Sequence, residues 1–283
     1  MSSKPLHTHA APSNAHTEEV LDRESNFHDE WAASTPLDQI QVVASFEAPT
    51  AQENQFILQH MGDIRGKRIL EIGSGLGESA VYFAMKGAQV TATDISPGMI
   101  ERALELAKFH NVTIEGRAQP AERLDVPESY YDFVYVANTF HHVTDKEHLF
   151  AEVRRALKPG GRFYAWDPLA YNPVINVYRS MATKVRTIDE QPLTFADVET
   201  AKKFFSDVEH REFWISTLTL FLKYYMIDRL HPNDCRYWKQ ILKEDDDRLW
   251  WWHPLLSLDK VLTRLPLVRR LAWNMVMYGT RKD

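Results

Sequence analysis

The chain has 283 residues, 44% of them apolar, with 33 Lys and Arg against 39 Asp and Glu for a formal net charge of −6. That composition belongs to a packed globular chain, and its acidic balance argues against nucleic acid as a partner. Cys235 is the sole cysteine, which excludes an internal disulfide and a cysteine-rich zinc site.

Residues 1–26 are rich in Ser, His, Ala and Pro and read as a flexible tail. They lack the apolar central run of a secretory signal, and no apolar stretch of the chain reaches the roughly 20 residues needed to span a bilayer, so a cytoplasmic location is expected. His7, His9 and His16 have no Cys or carboxylate company in that tail and do not read as a metal tract. Residues 27–66 read as an N-terminal helical cap segment, with Phe27, Trp31, Phe46 and Phe56 as packing anchors.

From Lys67 onward strands and helices alternate. Strands are expected over 68–72, 88–94, 112–115, 131–138 and 162–166, helices over 78–86, 97–110 and 148–157, and a turn at Lys158-Pro159-Gly160-Gly161. Alternation at this spacing implies an α/β fold with a parallel sheet covered on both faces. After Asp167 it stops, and 168–270 carries aromatic pairs such as Phe213-Trp214, Tyr224-Tyr225 and Tyr237-Trp238 and the triple Trp250-Trp251-Trp252. A last strand is expected within 271–283.

The informative loop is Leu70-Glu71-Ile72-Gly73-Ser74-Gly75-Leu76-Gly77-Glu78, between the first strand and its helix. Glycines spaced G-x-G-x-G let the backbone turn tightly and approach a ligand. The pyrophosphate fingerprint needs a glycine where this chain has Glu78, and a carboxylate there opposes a pyrophosphate while tolerating a cation. S-adenosylmethionine (SAM) carries a sulfonium and an ammonium, so the loop favours SAM over a dinucleotide. Asp94 ends the second strand, where a carboxylate grips the two ribose hydroxyls of an adenosine.

The segments EIGSGLG (71–77), TDISPGMI (93–100), AERLDVPESYYDFVYVANTFHHV (121–143) and RRALKPGGRFYAWDP (154–168) resemble, in that order, class I SAM-dependent methyltransferases of the ubiquinone/menaquinone-methyltransferase-like group. The resemblance implies a Rossmann-like, doubly wound, mostly parallel seven-stranded sheet, with core 67–216 and an antiparallel final pair at 208–216 and 272–281. It implies SAM as cofactor and S-adenosylhomocysteine as its product, with Glu71 near the methionine amine and Gly73, Ser74, Gly75 and Gly77 lining methionine and ribose. Asp94 would bind the ribose, Ile95 and Met99 the adenine face, Ala121 and Glu122 the adenine edge, and Asn138 the methionine part. One position departs from many relatives, which have Asp or Ser where this chain has Pro120.

The acceptor side is expected near His141 and His142, either of which could remove a proton, with Asp167 and Tyr171 on the same rim to orient the acceptor. Arg179 and Arg186 suit an anion on the substrate, although pairing with Asp189 or Glu190 is the plainer expectation. The two Asp and one Asn that hold magnesium in catechol-type relatives cannot be assembled, so no metal is expected. Residues 217–270 then form a helical, aromatic-rich lid over the cleft. Its terminal part, Leu255 to Arg270, is amphipathic and basic, compatible with peripheral membrane contact, with docking on its own domain, or with contact to a second copy. The expected activity is methylation of a small, apolar or aromatic molecule at O, S or N. The alternatives are S-methylation of a small thiol or sulfide, and a SAM-binding partner or sensor without turnover.

Overall fold

A computed structural model describes residues 14–282 apart from 188, 189, 246 and 248. The chain begins with three helices, α1 (Asn14–Ser34), α2 (Ala44–Glu47) and α3 (Gln52–Met61). The alternating part follows as β1 (Arg68–Ile72), α4 (Glu78–Met85), β2 (Gln89–Asp94), α5 (Pro97–Phe109), β3 (Glu115–Ala118), β4 (Tyr131–Ala137), α6 (Lys146–Ala156) and β5 (Leu157–Pro168). The last part holds α7 (Pro173–Met181), α8 (Phe195–Ala201), β6 (Phe205–Phe213), α9 (Thr219–Met226), α10 (Tyr237–Gln240), α11 (His253–Leu262) and β7 (Asn274–Arg281). The seven strands form one sheet in the order β3-β2-β1-β4-β5-β7-β6, and β7 alone runs against its neighbours. Buried residues fill both faces, from Ile69 and Tyr82 on one to Leu70 and Phe163 on the other. That is the doubly wound α/β arrangement expected, with its topological switch point between β1 and β4.

Four expectations need correction. The tail does not run to residue 26, because α1 begins at Asn14 and packs on the core, with Val20 and Glu24 buried. Asp29 of α1 accepts from the Gly98 amide (2.8 Å) and the Ser96 hydroxyl (2.5 Å), so a carboxylate sits on the N-terminus of α5. The apolar period of α1 is weak because Glu24 and His28 stand among Leu21, Phe27 and Trp31 on the face that lines the cavity. Residues 1–13, with His7 and His9, lie outside the described residues, as does the side chain of His16.

The other corrections are local. Lys158 to Gly161 belong to β5, where pairing with β4 jumps from Tyr131↔Leu157 to Phe133↔Arg162 and Gly160 takes φ +74°. The turn residues make a bulge within the strand rather than a break before it. The third strand starts at Glu115 instead of Val112, since its register is set by Thr91↔Glu115 pairing with β2 and not by the Val112-Ile114 apolar pair. The sixth strand is Phe205–Phe213 and stops where Trp214 turns to φ +69°. Past it, the Asp259 carboxylate of α11 accepts the backbone amides of Ile215 (3.0 Å) and Ser216 (2.6 Å).

Gly77 opens α4 at φ +89°, and a Cβ there would stand 2.6 Å from the Ala103 Cβ of α5. Its task is helix-to-helix contact behind the loop, so Gly77→Ala should destabilise the chain by roughly 2–4 kcal/mol through left-handed strain plus overpacking. Urea unfolding measures this, and an unchanged midpoint would contradict the packing.

Candidate active site

One cavity of about 290 Å³ opens at the carboxyl ends of β1 and β4, the place where an open α/β sheet binds its ligand. Gly73, Ser74 and Gly75 of the loop after β1 line it, with Asp94 and Ile95 after β2 and Asn138 after β4. Asp94 anchors the loop, since its Oδ2 accepts the Gly75 amide at 2.8 Å and its Oδ1 the Ser96 amide at 3.0 Å. A carboxylate has about four acceptor positions, so two remain for a ribose diol. At Gly75, φ is +52° and nothing stands within 4 Å of where a Cβ would point, which leaves that backbone open to a ligand.

Several buried polar atoms facing this cavity lack partners among the described residues: Glu71 Oε2, Ser74 Oγ and Gln119 Nε2. Burial, with the nearby Glu78 and Asp94 carboxylates, pushes the Glu71 carboxyl well above its usual range. A ligand bringing a cation to Glu71 would relieve that repulsion. Glu78 itself pairs with Lys239 of α10, so part of the negative charge is already balanced. Unpaired acceptors near the loop, an amide donor toward the adenine end and an open glycine backbone fit SAM.

Two cofactor expectations shift. Met99 is fully buried in α5 with its amide on the Ser96 hydroxyl and does not line the cavity. Gly77 does not line it either, for the packing reason above. Ala121 and Glu122 do, and burial raises the Glu122 carboxyl. Gln119, missed in the sequence, stands beside Pro120 with its Oε1 taken by the Asp125 amide (3.1 Å) and its Nε2 unpaired. The signal was available: where Pro120 replaces the usual polar residue, its neighbour supplies the polar side chain.

The other end of the cavity is built on Asp167. It is wholly buried at the end of β5 and accepts the backbone amides of Thr139 (3.2 Å), Phe140 (3.1 Å) and His141 (3.3 Å). These amides belong to the single 3-10 turn Phe140–His142, and the His141 Nδ1 also bonds the Asp167 carboxylate. Asp167 therefore stands behind His141 rather than on the cavity wall. Burial drives the pair toward its uncharged forms, raising Asp167 and lowering His141, the latter with help from the nearby His142, Arg179 and Arg186. In the tautomer that places Nδ1–H on Asp167, the His141 Nε2 keeps its lone pair.

Tyr171 is not part of this site. Its hydroxyl accepts the Phe195 amide at 3.3 Å, its ring stacks on Phe195, and it does not line the cavity. The chain leaves β5 toward α8 at this point, which carries Tyr171 away from the rim. Arg179 and Arg186 do line the cavity, and both converge on Glu190, with the Arg179 Nη2 at 3.1 Å and the Arg186 Nε at 3.1 Å. The plainer expectation holds for Glu190, whereas Asp189 lies outside the described residues. His142 turns the other way, toward Glu24 and His28 of α1.

The remaining walls come largely from α1 and α3, including Phe27, Trp31 and Glu53. Glu53 is 5% exposed, accepts the Asn274 amide at 2.7 Å, and is raised by burial to about 7. Neither Glu53 nor Glu24 was singled out in the sequence, because an acidic residue on a helix reads as solvated until its neighbours are known. Among the described residues of 217–270, only Trp238, Lys239, Ile241 and Leu242 line the cavity. Trp250 is 74% exposed, and Trp252 packs on Trp214 with ring centroids 5.4 Å apart.

Comparison with known proteins agrees with this geometry. Residues 70–165 match the methyltransferase domain family. A ubiquinone/menaquinone biosynthesis C-methyltransferase of Cupriavidus taiwanensis is 31% identical over 123 residues, 40% of this chain and 51% of that protein. The same enzyme of Erwinia tasmaniensis is 29% identical over 178 residues, 54% of this chain and 70% of that protein. The chain spans about half the length of the first curated relatives it matches. Phosphoethanolamine N-methyltransferase 2 of Haemonchus contortus, solved with phosphomonomethylethanolamine and S-adenosylhomocysteine, superposes with a TM-score of 0.59 at 21% identity, over 93% of this chain and 59% of that one, a likeness of fold.

Two outcomes follow from the geometry. Asp94→Ala should weaken SAM binding by roughly 1.5–3 kcal/mol for each ribose bond lost, measured by calorimetry on folded protein, and unchanged affinity would remove Asp94 from the site. Burial pushes the Glu53 carboxyl from its ordinary 4.5 up to about 7, so the folded state holds a proton that the unfolded chain releases. Stability therefore falls as pH rises through that window, by on the order of 3 kcal/mol. Glu53→Gln should remove that loss between about pH 5 and about pH 8 in urea unfolding, and parallel pH profiles of variant and parent would refute it.

Proposed function

We propose that this chain, whose residues 70–165 form a class I SAM-dependent methyltransferase domain, transfers a methyl group to a small acceptor through an O, N or S nucleophile placed beside His141. The observation that carries the reading is one continuous cavity, lined at one end by Gly73, Gly75 and Asp94 and at the other by His141. Bound SAM supplies an electrophilic methyl on a sulfonium.

The chain supplies position, dryness and a proton acceptor. Asp94 and Ile95 hold the nucleoside, Gln119 donates toward the base, and Glu71 and Ser74 receive the methionine ammonium. Trp31, Trp238, Ile241 and Leu242 wall the acceptor side in apolar surface, so the nucleophile meets its target with little water between them. His141 is kept unprotonated by burial and oriented by Asp167, so its Nε2 takes the acceptor's proton as the new bond forms. Asp167 is the positioning partner in this reading and does not touch the acceptor.

A SAM-consumption screen against phenols, quinols, amines, fatty acids and thiols should find turnover with at least one class. His141→Gln should then cut turnover by about 100-fold or more while SAM affinity holds. Full turnover by this variant at neutral pH would remove the base and indicate an acceptor that arrives ionised, such as a thiol. Absence of turnover with every class, alongside tight SAM binding, would favour a binding protein over an enzyme.

A further inference from the structure

We propose that Glu24, His28 and His142 form a binding site for one divalent transition-metal ion, zinc being the best match, with its open coordination position facing the acceptor end of the cavity. Glu24 and His28 stand one helical turn apart on the inner face of α1, and His142 reaches them from the turn after β4. Their ligand atoms all lie within 4.8 Å of one another. Glu24 Oε2 is 3.1 Å from the His142 Nδ1 and 3.6 Å from the His28 Nε2. Ligands at zinc distances in a tetrahedral arrangement stand roughly 3.3–3.5 Å apart, so the two separations bracket what a shared ion requires.

The contacts within the cluster are close but not aligned as hydrogen bonds. Neither oxygen of Glu24, nor the His142 Nδ1, has a hydrogen-bond partner among the described residues, although Glu24 is 4% exposed. Glu24 Oε2 lies between the two imidazole nitrogens, and an ion at the point where the three converge would replace these contacts with coordination bonds. Two imidazoles and one carboxylate are also the donor set of catalytic zinc and of facial-triad iron sites, which leave positions open for a substrate atom. A second grouping, His141, His142 and Glu190, is less available, because Asp167 holds His141 and two arginines hold Glu190.

All three ligands line the same cavity as His141, and the His141 and His142 rings are 4.1 Å apart. On the reading of the cavity as a methyltransferase site, an acceptor oxygen, nitrogen or sulfur bound to the ion would lose its proton more readily, with His141 as the receiving base. The binding of the ion itself does not depend on that reading. The expectation of a metal-free chain rested on the magnesium set of catechol-type relatives, and this set shares no residue type with it except a carboxylate.

The test uses the full chain with His7→Ala and His9→Ala, so that N-terminal histidines do not report. Titration of the metal-free protein with zinc chloride should show about one equivalent bound, and cobalt chloride should give the visible absorption of a low-symmetry, tetrahedral-type site. Glu24→Gln and His28→Ala should each weaken uptake by more than the roughly 10–100-fold that loss of an outer-shell partner costs. His141→Gln should keep it. Circular dichroism and SAM calorimetry on each variant verify folding, and Glu24→Gln preserves shape if His28→Ala does not fold. No stoichiometric uptake by the parent overturns the site and leaves Glu24 as a carboxylate balanced by a protonated imidazole. Uptake that survives Glu24→Gln but is lost in His141→Gln or Glu190→Gln overturns it in favour of the second grouping. Because uptake is read without turnover, its failure and the failure of methyl transfer are separately visible.

Discussion

Asp167 is wholly buried, yet it accepts three consecutive backbone amides and one imidazole nitrogen. A carboxyl in that position costs several kcal/mol unless its oxygens are satisfied, and the turn Phe140–His142 is the only nearby source of donors in register. The requirement works in both directions. The end of β5 must lie beside the end of β4, and the chain leaving β4 must wind into one tight turn rather than run out over the surface. His141 is thereby presented to the cavity with its Nδ1 on Asp167, and His142 faces Glu24 and His28 of α1. The arrangement of the acceptor end follows from where one carboxyl is buried.

The cofactor end depends on a different balance. Glu71, Glu78 and Asp94 all line the cavity, and Lys239 from α10 pairs with Glu78. A cluster of acids at a loop that would otherwise welcome phosphate is unfavourable until a cation joins it. The same principle reaches α1, where Asp29 finds the N-terminus of α5 and Glu24 finds two imidazoles. The N-terminal helix is held to the core by charge and hydrogen bonding as much as by apolar contact, and its burial completes the cavity wall.

The aromatic insertion divides its labour. Trp252 and Trp214 pack with Trp273 as part of the core cluster that covers one face of the sheet, and Asp259 caps the backbone between β6 and α9. Among the insertion's described residues, only those of the short α10 and the turn after it line the cavity. Val261, Leu265 and Leu267 remain on the outer surface, the last 81% exposed, next to Arg264. The density of aromatic residues thus reflects mainly the packing of this segment onto the core that covers one face of the sheet.

What the sequence determined by itself was the part governed by local periodicity and by residues with one physical use. The alternation from Lys67 to Asp167 specifies the parallel sheet, and G-x-G-x-G with Asp94 specifies an adenosine-type ligand end, because tight turns and strand-end acids are local features. Tertiary structure decided the rest. It moved Gly77 and Met99 from ligand contact to packing, since which side of α4 and α5 meets the core depends on their mutual crossing. It sent Tyr171 away and put Gln119, Glu53 and Glu24 into the cavity, since polar residues look alike in sequence whether solvated or buried. It also turned 14–26 from an expected tail into a wall of the site. A helix whose inner face mixes Glu24 and His28 with Leu21, Phe27 and Trp31 carries no continuous apolar stripe to announce it, and the partners after β4 and at the start of α5 reveal what that face is for.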